Sequence, residues 1–147
     1  MKPQQLLVLF MVVAAVIIAS ASFGWDVVPH TELNVTQLEI RFDNENATAQ
    51  IYYEAGFLTQ MYVSFFGSRN LDPFIDSFLY GFEEYQMISV QGNSATVKLV
   101  NSSRLTGNYY LHDTRPLGSQ VDRLILYYPD GKFLTFENAT ETPNTFY

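Results

Sequence analysis

The side chains that could do chemistry in this chain of 147 residues are few, and the histidines come first. The chain has two, His30 and His112, and neither stands in an HExxH or His-x-His spacing that would bring two ligands to one metal ion. Asp113 follows His112 directly, and neighbouring side chains of a strand point to opposite faces. Oxygen ligands are grouped at Asp43-Asn44-Glu45-Asn46, which lacks the central glycine and the distal glutamate of a calcium loop. We therefore predict no metal site and no cofactor.

Nucleophilic and acid–base catalysis find equally little support. The chain has no cysteine, which excludes thiolate catalysis, thiolate metal sites and disulfides. Ser68 follows Gly67 without the second glycine of a nucleophile elbow. The adjacent Glu83 and Glu84 are more typical of a solvated helix end than of a catalytic carboxylate pair. The sequence therefore predicts a non-enzymatic protein, and a hydrolase that depends on His112 is the weakest alternative.

Asparagine sequons are the candidate sites of covalent modification. Four N-x-S/T sequons begin at Asn34, Asn46, Asn101 and Asn138. Chance would give roughly one or two in a chain of this composition. In an exported domain these asparagines are predicted to carry N-linked glycans on loops. The alternative, that Asn and Thr are present because they favour turns, stays open.

Charge and cysteine content restrict the class of partner and the source. The chain has fifteen acidic and eight basic residues, for a net charge of −7. Its basic residues are scattered, whereas binding to a phosphate backbone requires clusters of Lys and Arg. We therefore predict no nucleic-acid partner and no docking on anionic lipid surfaces. Exported animal domains of this size usually contain disulfides, so the absence of cysteine favours a prokaryotic or archaeal cell surface.

The element that decides the compartment is the uncharged segment 6–25, LLVLFMVVAAVIIASASFGW. Ala19-Ser20-Ala21 fits the cleavage pattern of a signal peptide. About 20 apolar residues also span a bilayer core of ~30 Å, with Trp25 at the far interface. Residues 1–25 are therefore a signal peptide or a single transmembrane anchor. Because Lys2 keeps the amino end in the cytoplasm, the rest is predicted to lie outside, tethered to the membrane through residues 6–25 or secreted after cleavage near Ala21.

The chain after this segment is predicted to form one α+β domain. Residues 26–33 read as a linker, residues 34–138 as the domain, and the Thr-rich residues 139–147 as a loose tail. Alternation of apolar and polar residues predicts hairpins with turns at 43–46, 92–94 and 129–131. Behind the N-terminal hydrophobic helix, the order ββ-αα-βββββ predicts an antiparallel sheet of about six or seven strands with an αα-hairpin packed on one face.

Aromatic side chains carry the remaining signal. Two segments with helical spacing each show an apolar stripe, whose members are Phe57, Met61, Phe65, Phe74, Phe78 and Phe82. We predict that these six form a core against the sheet or line a pocket for an apolar ligand. Paired tyrosines at 52–53, 109–110 and 127–128 place one ring on each strand face. The outward rings predict an aromatic surface suited to a protein or glycan partner at the cell surface.

These observations predict a non-enzymatic, extracytoplasmic cell-envelope module that is membrane-tethered or secreted and acts by binding or assembly. Two alternatives stay open. One is a carrier or sensor with a small-molecule pocket under the αα-hairpin, which requires an unfilled cavity lined by Phe57, Met61, Phe74 and Phe78. The other is a pilin-like filament subunit whose apolar helix packs at the filament centre.

Overall fold

Strands dominate the described part of the structure, and two short helices interrupt them. The computed structural model describes residues 33–67 and 71–147. Its elements in chain order are β1 (Leu33–Asp43), β2 (Asn46–Ala55), α1 (Phe57–Phe66), α2 (Asp72–Phe78), β3 (Tyr85–Val90), β4 (Ser94–Leu99), β5 (Arg104–Thr106), β6 (Tyr109–His112), β7 (Arg115–Tyr127), β8 (Phe133–Thr142) and β9 (Thr145–Phe146). The predicted hydrophobic helix and residues 26–32 of the predicted linker lie outside the described residues.

The three predicted hairpins are confirmed. β1 pairs with β2, β3 with β4, and β7 with β8, each in antiparallel register. Asn44 in the first turn and Gly131 in the last have positive φ angles of 55° and 83°. Glycine, and less readily asparagine, adopts this left-handed conformation at low cost. The residues at these two turns therefore favour the chain reversal that the first and last hairpins require.

The larger sheet is mixed, so the predicted all-antiparallel sheet is wrong in one pairing. Six strands follow the order β3-β4-β2-β1-β7-β8, and β7 runs parallel to β1 from Gln37↔Arg123 to Arg41↔Tyr127. Because β4 occupies the far side of β2, the open side of β1 is the interior position left for β7. The chain reaches it through β5 and β6, so no hairpin sets the direction of β7. Alternation within a strand carries no information about that direction.

The predicted loose tail is also wrong, because most of residues 139–147 lie in strands of the two sheets. β8 continues to Thr142, and β9 pairs with β6 in a second sheet of order β5-β6-β9. Tyr147 exchanges two backbone hydrogen bonds with Tyr110, at 2.9 and 3.1 Å. The ring of Tyr147 also stacks on Phe42 with its centroid 4.8 Å away. These contacts hold the C-terminal residues against the core.

One face of the larger sheet is buried, and α2 covers part of it. On β1, Leu38 and Ile40 are fully buried, whereas Arg41 on the other face is exposed. α2 adds Ile75 and Phe78 to this core and contacts β7. Apolar side chains on alternate positions thus exclude water from one face, and this burial supplies the main stabilisation of the domain.

Helix α1 corrects the predicted aromatic core. Phe57, Met61 and Phe65 are 73%, 42% and 76% exposed, so they do not pack under the sheet. Thr59 is buried instead, and Val63 packs against the core. The helix therefore packs against the domain with the side that carries Thr59 and Val63, which leaves the predicted stripe exposed. The remaining predicted residues lie on α2 or just after it: Phe74 packs against the core, and Phe78 and Phe82 are buried in it.

Candidate binding groove

The ring of His112 is buried and held by hydrogen bonds at both of its nitrogens. Its ring is fully buried, with Nδ1 2.7 Å from the Ser102 carbonyl oxygen and Nε2 2.9 Å from the Thr142 hydroxyl. Nδ1–H therefore donates to Ser102, and Nε2 accepts from Thr142, whose oxygen accepts the Arg115 backbone N–H at 3.0 Å. Burial lowers the pKa of His112, so the ring is neutral near pH 7. Both ring nitrogens are therefore engaged by protein partners in a fully buried position.

The acidic residues that the sequence singled out are dispersed or paired with arginine. Asp113 forms an ion pair with Arg104 at 3.1 Å. Glu83 lies 3.5 Å from Arg115. Within residues 33–67 and 71–147, no three His, Asp or Glu side chains are grouped closely enough to hold a metal ion.

The sequons differ in accessibility. Asn34, Asn101 and Asn138 are exposed, whereas Asn46 is half-buried and its Oδ1 accepts the backbone N–H of Asn101 at 3.2 Å. Asn101 and Asn138 have positive φ angles of 51° and 54°. Glycosylation of these asparagines stays a prediction.

An open groove of about 720 Å³ lies between the β7–β8 turn and β9. We call it the aromatic groove. Its lining residues are Tyr109, Tyr128, Asp130, Gly131, Lys132, Phe133, Leu134, Thr145, Phe146 and Tyr147. The groove therefore joins the end of the larger sheet to the small sheet.

Three aromatic side chains of the groove are presented to solvent. Tyr109, Phe133 and Phe146 are 61%, 62% and 71% exposed. Tyr109 and Phe146 meet edge to face with ring centroids 6.5 Å apart, while Phe133 leans on Tyr127 at 6.1 Å. Rings already packed against one another lose little rotamer freedom when a partner covers them. The three side chains therefore suit an apolar partner surface.

Beneath these rings, hydrogen bonds fix the floor of the groove. The Tyr128 and Thr145 hydroxyl groups lie 2.9 Å apart. The Tyr147 hydroxyl donates to the carbonyl oxygen of Asn44 at 2.8 Å and so ties the small sheet to the β1–β2 turn. Burial raises the pKa of Tyr147, which keeps the hydroxyl protonated as a donor. The floor is consequently preorganised rather than formed on binding.

The rim of the groove is polar. Lys132 Nζ lies 2.7 Å from Asp130 Oδ2, and the Lys132 backbone N–H donates to Asp130 Oδ1 at 3.0 Å. The bond to Lys132 lowers the pKa of Asp130 and raises that of Lys132, so both stay charged across the physiological range. An apolar centre with a charged rim is the arrangement typical of protein-binding surfaces.

Two strand edges border the aromatic groove. β8 is the last strand of the larger sheet and β9 the last strand of the small sheet. Phe133 and Leu134 belong to β8, and Thr145 and Phe146 to β9. Because Tyr147 exchanges its backbone hydrogen bonds with Tyr110, antiparallel alternation directs the Phe146 backbone N–H and C=O away from β6. An extended chain lying in the groove would meet backbone groups as well as rings.

Sequence reasoning found only part of the groove. Two of the three tyrosine pairs contribute a ring to it, Tyr109 and Tyr128, whereas the pair at 52–53 does not line the groove. Phe133 was assigned only to a hairpin strand, and Phe146 to a loose tail. The alternation of Thr145, Phe146 and Tyr147 is the signal that could have marked a short strand.

Comparison with protein-family models, curated proteins and solved structures finds no match to this chain. Within the described residues, neither helix has the length and apolar character needed to span a bilayer.

Proposed function

We propose that this protein is a non-enzymatic, extracytoplasmic cell-envelope module, membrane-tethered or secreted, that binds an extended segment of a partner protein in the aromatic groove. One observation carries the proposal: three exposed aromatic side chains, Tyr109, Phe133 and Phe146, surround a groove bordered by β8 and β9, which are edge strands among the residues that the structure describes. Export is supported by the uncharged segment 6–25 and the acidic composition of the chain.

The chemistry of the groove favours a peptide over other ligands. A peptide added to a strand edge gains main-chain hydrogen bonds, and its alternate side chains enter the space between exposed rings. Aromatic anchors commonly contribute most of the binding energy at such surfaces, while a polar rim excludes water. The Asp130–Lys132 pair offers one acceptor and one donor to the same segment.

The carrier alternative receives less support. It needs Phe57, Met61, Phe74 and Phe78 around one cavity, but the first two are exposed and Phe78 is buried in the core. Of the two helices of the predicted αα-hairpin, α2 covers the buried face of the larger sheet with Ile75 and Phe78. The pilin-like alternative stays a prediction.

A displayed library of random linear peptides, selected on the full chain, tests the proposal. We expect recovered peptides with apolar residues at alternate positions, bound more weakly by the Phe146→Ser chain by about tenfold or more. The measurement is the Kd of a synthetic selected peptide by fluorescence anisotropy.

Ile88→Ser is the matched control, because Ile88 is 60% exposed on β3, at the opposite edge of the larger sheet. This control should leave the Kd unchanged. An equal loss of peptide affinity in the two variants would contradict a peptide-binding function. The same conclusion would follow if no peptide were selected and the groove bound oligosaccharides instead.

A further inference from the structure

Helix α1 presents an apolar face to solvent. Its sequence, FLTQMYVSFF, contains no charged residue. Phe57, Met61 and Phe65 are spaced by four residues and all three are exposed, so they lie along one side of the helix on successive turns. Helices at a water-facing surface normally turn charged or polar residues outward. Three large apolar side chains in this position indicate a surface that another apolar phase covers.

The location of α1 in the fold indicates what that phase is. Leu33, the first described residue, pairs with Ala55, and α1 begins two residues later at Phe57. The helix therefore starts at the end of the sheet where the chain enters the domain. Residues 26–32 separate this point from the uncharged segment 6–25, and at ~3.6 Å per residue they reach no more than about 25 Å.

We propose that the exposed face of α1, formed by Phe57, Met61 and Phe65, inserts into the outer boundary between headgroups and acyl chains of the bilayer that holds the chain. The inference rests on the proposed membrane tether through residues 6–25. Apolar faces of interfacial helices enter this boundary by about 5–10 Å. Because α1 carries no charge, the contact is with the acyl region and does not require anionic lipid.

The same geometry places the aromatic groove away from the membrane. β1 runs about 33 Å over its eleven residues, from Leu33 beside α1 to Asp43. Arg41, near its far end, pairs with Tyr127, which precedes the turn that lines the groove. Two attachments to the bilayer, the tether and α1, would hold the domain upright and present the groove outward.

Site-specific labelling tests this contact cleanly because the chain has no cysteine. The full chain is reconstituted in phosphatidylcholine vesicles as Phe65→Cys or, as the matched control, Phe133→Cys, each carrying the same fluorophore. Both positions are exposed phenylalanines, one on α1 and one in the groove. We expect lipids brominated on their acyl chains to quench the label at position 65 at least severalfold more than the label at 133. Replacing Phe57 and Met61 by serine should reduce that difference.

Sedimentation of the same vesicles separates failure of the tether from failure of the helix contact. If the chain does not sediment with vesicles, the tether and the inference are both wrong. If the chain sediments but the label at 65 is quenched no more than the label at 133, the inference alone is wrong. Quenching of the label at position 65 that appears only with anionic lipid would also overturn the inference. Self-quenching at 65 that rises with protein density and is insensitive to brominated lipid would instead assign the face to a second copy of the chain.

Discussion

At the scale of single residues, His112 shows how a residue type associated with catalysis can serve packing. Its ring lies 5.0 Å from Phe42 and 6.3 Å from Phe82, and its hydrogen bonds join the Ser102 loop to Thr142 at the end of β8. The neutral imidazole donates to the Ser102 carbonyl oxygen and accepts from the Thr142 hydroxyl. Both buried groups therefore have a hydrogen-bond partner. His112 therefore links the two sheets.

Acid should destabilise the fold through His112. Burial lowers its native pKa, helped by Arg115, while the Ser102 carbonyl and Asp113 oppose the shift. The unfolded chain therefore binds a proton near its ordinary pKa of 6.5, before the native state does. The free energy of unfolding should be constant above this pH and should fall below it, by at most about 1.4 kcal/mol per pH unit. Urea unfolding between neutral and mildly acidic pH measures this dependence.

An NMR titration of the ring protons assigns the effect to His112. A His30→Gln chain leaves one histidine to observe. The native ring should remain neutral below pH 6.5, and the urea-unfolded ring should titrate near it. An ordinary native titration midpoint would contradict the proposed cause.

Thr142 should be needed for its hydroxyl rather than for its volume. Thr142→Val removes the donor to His112 Nε2 and the acceptor for the Arg115 N–H at a fully buried position. Unsatisfied buried groups cost about 1–3 kcal/mol, so the free energy of unfolding should fall by that amount. Thr142→Ser retains the hydroxyl and should cost clearly less. Equal losses from the two substitutions in chemical denaturation would indicate that packing alone matters.

At the scale of elements, a glycine sets how closely β7 approaches α2. A Cβ at Gly118 would lie 2.8 Å from the Phe78 Cα, too close for ordinary contact between carbon atoms. This position falls in the irregular stretch of β7 between Pro116 and Val121. The bulge and the small residue together let the strand pass under the helix backbone.

Gly118→Ala should therefore destabilise the domain by about 1–3 kcal/mol, as overpacking against a fixed backbone does. Gly92→Ala is the matched control, because no heavy atom lies within 4 Å of a Cβ there. Thermal unfolding of the two variants measures the difference. Similar melting temperatures would show that α2 shifts to accommodate the methyl group.

The short strand β9 provides a second prediction at this scale. Tyr147, next to β9, stacks on Phe42 and bonds to Asn44, whereas the neighbouring Phe146 is exposed. Tyr147→Ala should lower the free energy of unfolding by about 2–4 kcal/mol through lost burial and hydrogen bonding. Phe146→Ala should change it by less than about 0.5 kcal/mol. Equal small effects in urea unfolding would mean that the last residues do not support the fold.

At the scale of the whole molecule, the parallel pairing of β1 and β7 separates two exposed apolar surfaces. α1 lies at the end of the larger sheet where the chain enters, and the aromatic groove lies beyond the other end of β1. Because distant sites act independently, Phe146→Ser should leave lipid quenching at position 65 unchanged. In turn, the double variant Phe57→Ser, Met61→Ser should leave the Kd of the selected peptide unchanged. Mutual effects in the vesicle and anisotropy measurements would indicate that both surfaces belong to one site.

Local patterns in the sequence were enough to predict much of the fold. Alternation along β1 puts Leu38 and Ile40 on the same face, which is the buried one, and residues such as Asn44 and Gly131 lie in the predicted turns. These features depend on neighbours within a few residues, so no knowledge of distant contacts is needed. The excess of acidic residues, the absence of cysteine and the uncharged segment 6–25 are likewise properties of the sequence by itself.

Only the tertiary structure decided which surfaces are buried and which are available. The spacing of Phe57, Met61 and Phe65 indicates an apolar helix side but does not say whether a sheet, water or lipid lies against it. The pairing of β9 with β6 joins residues more than thirty positions apart along the chain, which no local pattern encodes. The groove exists because that pairing brings Phe146 beside Tyr109. Long-range pairing is set by the closure of the whole fold, and this is the physical reason that sequence alone could not locate the groove.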